Sequence, residues 1–593
     1  MKTTNQKLAE LRQLMAENNL TAYYINTADP HQSEYIAEHY ESRSWLTGFT
    51  GSAGYALVTK DEALLWVDGR YFIQAANQIK DSEFKMMKMA TSGYPTIEEW
   101  LLDNLKAEDI LGMNGQMISE RFYLNISELL AEKNIKVKAN YQLVESIWQD
   151  RPAMPSDPVF IHELKYTGKT TAEKITEVRE KMEKDGAEAA LYAGLNDIAW
   201  LHNIRGNDVK NTPVVTAFSL ITKTQANLYL DQNKIDAKVR SFLEENGITI
   251  KNYKQVYEDL NQLSVNSLVL DKNVINHSLF SEIPDSIKII EKKDYPYVIK
   301  TCLNEVELEN QRNSYIKDSV ALTKFIYYIK QNVQSGNLTE LSVEKTLHDF
   351  RAKQDLFLDE SFSTIAAYGP NAAMMHYSAS PESYSKIEPE GYLLVDSGGQ
   401  YLDGTTDITR TISCGKLTEE QIRDYTLSLK SHINLARAKF LHGITGYYLD
   451  VLARQPLWQY YMDYKCGTGH GVGYLLGVHE GPQRFNMNYM NVPLEEGMVI
   501  TNEPGVYKEG KYGIRLENDY VVQKDKQVDT DLFLHFDCLS FVPFDRAAID
   551  TSLLEKYELD WLNAYQKAVF DKVSPSLNDE EKAWLAAETA ELK

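Results

Sequence analysis

Five side chains that can bind a metal ion are spread along the second half of the chain. The four acids among them each stand in a run of β-branched or large apolar residues, which is typical of a buried strand. Because buried carboxylates that face one another repel, they need a cation among them. The pattern therefore predicts a metal centre built from Asp396 in VDSGG, Asp407 in TTDITRT, Glu503 in ITNEPGVY and Glu517 in YGIRLEN, together with one imidazole from the histidines of the same region, His376 in MMHYS and His470 and His479 in GTGHGVGYLLGVHEGP.

The type of ligand narrows the choice of metal. Carboxylate oxygens with one imidazole differ from the Cys and His ligands of structural zinc sites, and they suit Mn²⁺, Co²⁺ or Fe²⁺. Four acids can serve two metal ions if two of the acids bridge. A pair of metal ions holds a bridging hydroxide at neutral pH and polarises a carbonyl group. These are the requirements of hydrolysis.

Asp396 and Asp407 belong to one strand-turn-strand pattern, GYLLVDSGGQYLDGTTDITRT. A turn centred on Asp403-Gly404 pairs Asp407 with Gln400 rather than with Asp396. We therefore expect the first strand to bend at Gly398-Gly399, where glycine permits a bulge. The aspartate of the turn is interpreted as a turn residue and not as a ligand.

The 593 residues exceed a single core, and the clearest boundary is the proline-rich DRPAMPSDPVF. Before it, TAYYIN, YALVT and EALLWVD alternate strand patterns with Gly and Asp turns. After it, the helix pattern TTAEKITEVREKMEKDG precedes strand patterns in a similar order, EAALYAG and VTAFSLITKTQANLYLD. We predict an α/β (α+β) chain with two similar α/β domains at residues 1–155 and 156–297. A third domain, residues 298–593, contains the metal ligands and ends in a helical tail.

Charge and cysteine content restrict the partners. A net charge of −23 argues against nucleic acid and anionic membranes, since both need a basic surface. The four cysteines are scattered without a CxxC pair and do not form a disulfide framework. The start of the chain has an amphipathic helix pattern with Leu8, Leu11 and Met15 on one face rather than a signal peptide. We expect a cytoplasmic protein without a membrane span.

The chain resembles the aminopeptidase P family, Xaa-Pro aminopeptidases of metallopeptidase family M24, in their long three-domain cytosolic form. The likeness covers nearly the whole chain. It rests on DPHQSEYIA, VDGRYFIQAANQ, VDSGGQYLDGTTDITRT, GTGHGVG, VHEGP, NEPGVY and GIRLEN. The resemblance implies two N-terminal domains of the creatinase/prolidase type, a C-terminal pita-bread catalytic domain, and a homodimer.

The resemblance also implies a role for each site residue. Asp396 binds one metal ion, Asp407 and Glu517 bridge two, and His470 and Glu503 complete the second. Glu503 orients or deprotonates the bridging water. His376 and His479 hold the substrate and stabilise the oxyanion. The cofactor is a pair of divalent ions, Mn²⁺ foremost, with Co²⁺, Zn²⁺ and Fe²⁺ as alternatives.

Four further residues carry open interpretations. Arg515 stands two residues before Glu517, on the same strand face, and is expected to pair with Asp396. Arg70 in VDGRYF either reaches the substrate, as the resemblance implies, or is a turn arginine that solvates its neighbour Asp68. His202 is a weak candidate for a substrate subsite. At Cys466 the family usually has a second histidine, so this position departs from its pattern.

The activity implied is release of the N-terminal residue from peptides with proline in the second position. A prolidase that acts on Xaa-Pro dipeptides is the alternative enzyme, although the two N-terminal domains and the tail favour an aminopeptidase. A pita-bread binding protein with impaired catalysis is the other alternative. Only Cys466 favours it, since all five ligand positions are intact.

Overall fold

The computed structural model describes residues 2–593, which divide into two compact units. The first unit comprises the residues up to His162 and the segment Lys169–Val298. The second unit comprises Glu163–Gly168 and Ile299–Lys593. Within residues 2–593, none of the helices combines the length and the apolar run that are needed to cross a lipid bilayer.

The first unit contains two six-stranded mixed sheets of the same design. With the strands of each sheet numbered along the chain, both sheets have the spatial order 4-3-2-1-5-6. The predicted repetition of strand patterns is therefore confirmed at the level of topology. The first sheet has strands Ala22–Asn26, Tyr55–Thr59, Ala63–Val67, Phe84–Lys88, Ile110–Gly112 and Lys136–Lys138; the second has Ala189–Tyr192, Ala217–Thr222, Ala226–Leu230, Thr249–Asn252, Ser267–Leu270 and Lys288–Glu291.

Two helices of this unit lie where the sequence patterns predict them. Helix Thr4–Glu17 starts at a capping box of Thr3 and Gln6 and buries Leu8, Leu11 and Met15. Helix Thr171–Lys184 has a capping box at Thr170, and Gly186 follows it with a φ of +70°. Residues 151–159, the predicted linker, lie in no helix or strand. The other helices of at least seven residues are Phe72–Ile79, Ile97–Asn104, Glu120–Ala131, Leu195–Leu201, Ala237–Glu245 and Gln255–Asn261.

The second unit surrounds its sheets with long helices. A six-stranded sheet has the order Lys439–Leu441, Asp531–Cys538, Asn518–Val528, Val499–Asn502, Gly469–Gly471, Glu480–Phe485. Two three-stranded sheets share one hairpin. The strands of the first sheet are Ile365–Tyr368, Tyr392–Ser397 and Ile408–Ser413. The strands of the second sheet are Phe357–Glu360, Gly399–Tyr401 and Gly404–Thr405. Gly505–Lys508 pairs with Tyr512–Arg515. The helices are Glu305–Asn332, Glu340–Arg351, Glu419–Ala436, Gly446–Trp458, Lys556–Val573 and Asp579–Glu588.

The register of the shared hairpin differs from the sequence-based expectation. Asp396 pairs with Thr409, and Tyr401 pairs with Gly404, so the turn lies at Leu402-Asp403 and not at Asp403-Gly404. Continuing this register places Asp407 across from Gly398. Asp396 and Asp407 are then diagonal neighbours on one face, and no change of register is needed to bring them together.

The reason lies in the helix that packs on the turn. A Cβ added at Gly404 would lie 2.4 Å from the side-chain oxygens of Gln311 and Ser314, so this glycine is required for close packing rather than for the centre of the turn. Asp403 is a turn residue, as predicted, and its carboxylate lies 2.6 Å from Lys317 Nζ.

A buried ion pair supports the strand that carries Asp396. Arg351 Nε donates to Asp318 Oδ1 at 2.7 Å, and both side chains are fully buried. The same guanidinium donates to Ser397 Oγ at 3.0 Å. Tyr401 OH donates to Asp318 at 2.8 Å. The hairpin is thus attached to two helices through one charge pair.

We expect Arg351→Met to lower the free energy of unfolding of the second unit by about 3 kcal/mol or more, because it leaves the Asp318 carboxylate buried without its cation. Urea titration followed by tryptophan fluorescence measures this loss. Lys345→Met, which breaks an exposed pair with Asp349 on the same helix, is the matched control and should leave the transition unchanged. Equal effects of the two variants would contradict the importance of the buried pair.

Candidate metal centre

Asp396 lies near the end of strand Tyr392–Ser397, and its carboxylate points at a buried arginine. Arg515 Nη2 donates to Asp396 Oδ2 at 2.6 Å, which confirms the expected pair. The other oxygen, Oδ1, is buried without a hydrogen-bond partner within residues 2–593. Since a buried carboxylate oxygen without a partner is costly, this oxygen is available to a cation.

Asp407 and Glu517 stand immediately before two different strands, Ile408–Ser413 and Asn518–Val528, and their carboxylates come together. One ligand atom each from Asp407, His470 and Glu517 lies within 4.8 Å of the others. Glu517 follows strand Tyr512–Arg515, and its Oε2 accepts a hydrogen bond from Thr409 Oγ1 at 2.6 Å. Glu517 is also joined to the hairpin through its backbone N–H, which donates to the carbonyl of Thr409. Thr409 therefore fixes the second acid relative to the first.

His470 and Glu503 close the cluster. His470 Nε2 lies 3.4 Å from Glu503 Oε1 and 3.6 Å from Asp407 Oδ2. His470 Nδ1 is 2.9 Å from the carbonyl oxygen of Gly471, which can only accept, so Nδ1 carries a proton. That bond leaves Nε2 directed at the carboxylates, the arrangement of a metal-binding histidine.

The two other predicted histidines lie beside this cluster. The ring centroids of His479 and His470 are 4.4 Å apart at 78°. His376 follows Met375, whose carbonyl oxygen accepts from Arg515 Nη2 at 3.4 Å. Since the same arginine holds Asp396, the loop with His376 is attached directly to the acidic cluster.

Burial and mutual repulsion raise the pKa values of three carboxyl groups in the cluster. Burial, together with Glu517 and Asp396, raises the pKa of Asp407 well above its usual value. Burial and Glu503 raise the pKa of Glu517 in the same way. Burial and Asp396 raise the pKa of Glu503 to about 7, although Arg515 opposes the rise. The acids therefore repel one another unless protons or cations neutralise them.

The residues fit a metal ion. Several carboxylate oxygens and one imidazole nitrogen converge, one buried oxygen is unpaired, and the charge of the cluster is too negative for the single arginine among them. Oxygen-rich ligands of this kind suit Mn²⁺, Co²⁺, Fe²⁺ or catalytic Zn²⁺.

One acid of the cluster was missed in the sequence. Asp519 is fully buried, accepts a hydrogen bond from Tyr315 OH, and has a pKa raised by burial and, less strongly, by Glu503 and Asp396. The available signal was its spacing: it stands two residues after Glu517 and so shares its strand face. Tyr507, whose hydroxyl accepts from Arg515 Nη1 at 2.8 Å, was missed as well.

Three other candidates have different surroundings. Arg70 makes a two-point contact with Asp68, Nε to Oδ1 at 2.9 Å and Nη2 to Oδ2 at 2.8 Å, which is the contact expected of a turn arginine. The substrate-subsite hypothesis for His202 is wrong: its ring is fully buried against Ser219, and burial lowers its pKa to about 3. Cys466 is half-buried near Tyr507, and burial raises the pKa of its thiol to about 12.

Comparisons with known proteins agree with this geometry. Residues 309–524 match metallopeptidase family M24, and residues 532–592 match the C-terminal region of that peptidase. Residues 7–146 and 150–307 each match a creatinase/prolidase N-terminal domain. Aminopeptidase P2 of Arabidopsis thaliana is 37% identical, over 97% of this chain and 86% of the relative. The chain belongs to the aminopeptidase P group of metallopeptidase family M24.

Solved structures are also similar to this member of the aminopeptidase P family. A crystal structure of X-prolyl aminopeptidase from Caenorhabditis elegans, described as a cytosolic enzyme with a di-nuclear active site, is 33% identical, has a TM-score of 0.96 and covers all of both chains. Prolidase from Thermococcus sibiricus, 22% identical with a TM-score of 0.51, covers 64% of this chain and shares the fold alone. The predicted fold class, two creatinase-type domains before a pita-bread domain, is confirmed. The boundaries at 155 and 297 stay predictions.

The raised pKa of Glu503 predicts how the metal-free M24 protein responds to pH. The folded protein keeps a proton on Glu503 up to about pH 7, whereas the ordinary pKa is 4.5. Stability from this group is therefore present below pH 4.5 and is lost as pH rises through 7. In EDTA, the melting temperature should fall between pH 5 and pH 8, and the fall should be smaller in Glu503→Gln.

Adding Mn²⁺ should remove most of that fall, because the cation replaces the proton. Differential scanning fluorimetry at both pH values, with EDTA and with Mn²⁺, measures all four conditions. Identical pH profiles of the wild-type protein and Glu503→Gln would refute the assignment of the proton to Glu503.

Proposed function

We propose that this protein is a metal-dependent Xaa-Pro aminopeptidase that binds two divalent ions. The observation that carries the proposal is the convergence of Asp407, His470 and Glu517, with Glu503 and Asp396 beside them. The relatives support the reaction: aminopeptidase P2 is similar over nearly the full length, and the X-prolyl aminopeptidase of similar structure has a di-nuclear active site. Mn²⁺ is our choice of metal, and the cytosol our choice of compartment.

The five ligands have the roles that the family resemblance implies. Asp396 would hold one ion, Asp407 and Glu517 would serve both, and His470 and Glu503 would hold the other. Bound there, the ions supply Lewis acidity that polarises a carbonyl group and lowers the pKa of water.

Glu503 is the ligand suited to move protons. Its side chain is 19% exposed, against 5% for Asp407, so it can contact a water molecule and the substrate. It takes a proton from the attacking water and passes it to the proline nitrogen. That nitrogen belongs to a tertiary amide and must gain a proton to leave.

His376 and His479 act as hydrogen-bond donors to the substrate carbonyl oxygen. Donors placed where negative charge develops stabilise the transition state more than the ground state. The position of Met375 against Arg515 and the contact between His479 and His470 keep both rings beside the carboxylates. Arg70 as a substrate contact stays a prediction.

We expect the Mn²⁺-loaded protein to release arginine from Arg-Pro-Pro, and Asp407→Ala to reduce this rate by more than about a hundredfold, the loss seen when even an outer partner of a metal is removed. Asp403→Ala, from the turn of the same hairpin, is the matched control and should keep the activity. Metal analysis of both variants should show metal lost only from Asp407→Ala. Full activity of Asp407→Ala would defeat the assignment.

The alternative enzyme is tested with the same protein. A prolidase cleaves the dipeptide Arg-Pro and leaves Arg-Pro-Pro intact, whereas an aminopeptidase cleaves the tripeptide. No cleavage of either peptide, with two ions bound, would instead favour a binding protein.

We also propose a homodimer through an exposed apolar face of helix Gly446–Trp458. Tyr448 is 55% exposed, and Tyr461, just beyond the helix, is fully exposed. Aromatic rings of Tyr447, Tyr448 and Tyr489 contact one another on this surface. Large exposed apolar surfaces of this kind mark protein interfaces. The exposed apolar residues of the face are Tyr447, Tyr448, Val451, Leu452, Trp458 and Tyr461.

Sedimentation velocity of the wild-type protein at micromolar concentration should show twice the mass of one chain. The double variant Val451→Asp, Leu452→Asp should sediment as single chains, because the introduced charges cannot be buried in an apolar contact. Leu358→Asp, at a leucine exposed to a similar degree elsewhere in this unit, is the control and should remain dimeric. Single chains of the wild-type protein would end the proposal of a dimer.

A further inference from the structure

A buried glutamate outside the metal cluster holds the loop that carries His376. Glu340 is the first residue of helix Glu340–Arg351, and it is fully buried. Within residues 2–593 no lysine, arginine or histidine forms an ion pair with it. A charge buried in this way must be satisfied by hydrogen bonds.

Its donors all come from one stretch of chain. Glu340 Oε1 accepts from the backbone N–H of Tyr368 at 2.7 Å and from Asn371 Nδ2 at 3.0 Å. Glu340 Oε2 accepts from Tyr377 OH at 2.8 Å and from the backbone N–H of Ser385 at 2.6 Å. The Glu340 N–H returns a bond to the carbonyl of Ser385. The carboxylate thus joins the start, the middle and the end of residues 368–385, which we call the histidine loop.

The four donors suit the carboxylate of Glu340. All of them are neutral, and a carboxylate can accept from all of them at once. The side chain also stands in the first turn of a twelve-residue helix, where the helix dipole favours negative charge. Glu340 therefore holds the histidine loop at four points along its length.

The other side of the loop faces the acidic cluster. The carbonyl of Met375 accepts from Arg515, which binds Asp396. Ala372 packs so closely on Gly513 that a Cβ there would lie 1.8 Å from its carbonyl oxygen. His376 lies between this contact and Tyr377, whose hydroxyl is bound to Glu340. The chain on one side of His376 is thus attached to the Glu340 carboxylate, and the chain on the other side is attached to Arg515 of the acidic cluster.

We infer that Glu340 is a positioning residue for the peptidase reaction, which acts by fixing the histidine loop and so the place of His376. The inference rests on the proposed function, in which His376 donates to the substrate carbonyl. Loss of the carboxylate leaves the ligands in place and lets His376 move, so it lowers kcat more than it raises KM.

Glu340→Gln should lower kcat for Arg-Pro-Pro by about tenfold to a hundredfold, the range for a small displacement of a reacting group. Metal content should stay at the wild-type level. Tyr377→Phe removes a single donor to Glu340 and should give a smaller loss of kcat. This milder variant provides the test if Glu340→Gln does not fold. Glu344→Gln is the matched control: it neutralises an acid one turn along the same helix that makes no hydrogen bond to the loop within residues 2–593, and it should keep full activity.

A double-mutant cycle separates positioning from general stability. In a His376→Ala background, Glu340→Gln should cause no further loss of kcat, because its effect passes through His376. Hydrogen exchange should be faster at the amides of Tyr368 and Ser385 in Glu340→Gln and unchanged in Glu344→Gln. An additive loss in the double variant, wild-type activity of His376→Ala, or unchanged exchange at these amides would each overturn the inference.

Failure of the proposed function gives a different result. In that case the wild-type protein with metal bound does not cleave the peptide at all. The exchange measurement then still decides whether Glu340 holds the loop.

Discussion

Burying a carboxylate without a partner costs several kcal/mol, and the catalytic unit places several within reach of one another. Asp396 has Arg515, and Asp519 has Tyr315, but the other acids depend on a cation or a proton. The raised pKa values of Asp407 and Glu517 express that need. The acids therefore keep protons to a higher pH than they ordinarily would, and bound metal ions would replace those protons.

The surrounding architecture keeps these groups from moving apart. A hairpin supplies Asp396 and Asp407. His470 lies on a strand of the six-stranded sheet, and Glu503 and Glu517 stand next to the ends of two other strands of that sheet. Neutral side chains such as Thr409 hold one acid against the next. Farther out, buried pairs such as Arg351 with Asp318 attach the hairpin to the helices. A carboxylate cluster can be stable only on such a rigid frame, because relaxation would separate the charges.

Much of this was predictable from the sequence. The residues of the candidate metal centre stand in short motifs, and several helix starts have capping boxes, so local sequence patterns were enough to find both. The turn was misplaced because Asp403-Gly404 has the chemistry of a tight turn, while packing of the helix at Gly404 decided otherwise. Glu340 was missed because its partners lie 28 to 45 residues away, and no local pattern reports such contacts.

The shared strand order of the two N-terminal sheets has an evolutionary consequence. Two domains that follow one another in the chain, share this strand order and each match a creatinase/prolidase N-terminal domain have the pattern expected of a tandem duplication. Such a duplication would have lengthened a shorter ancestral chain by one domain, and the two copies would since have diverged in sequence.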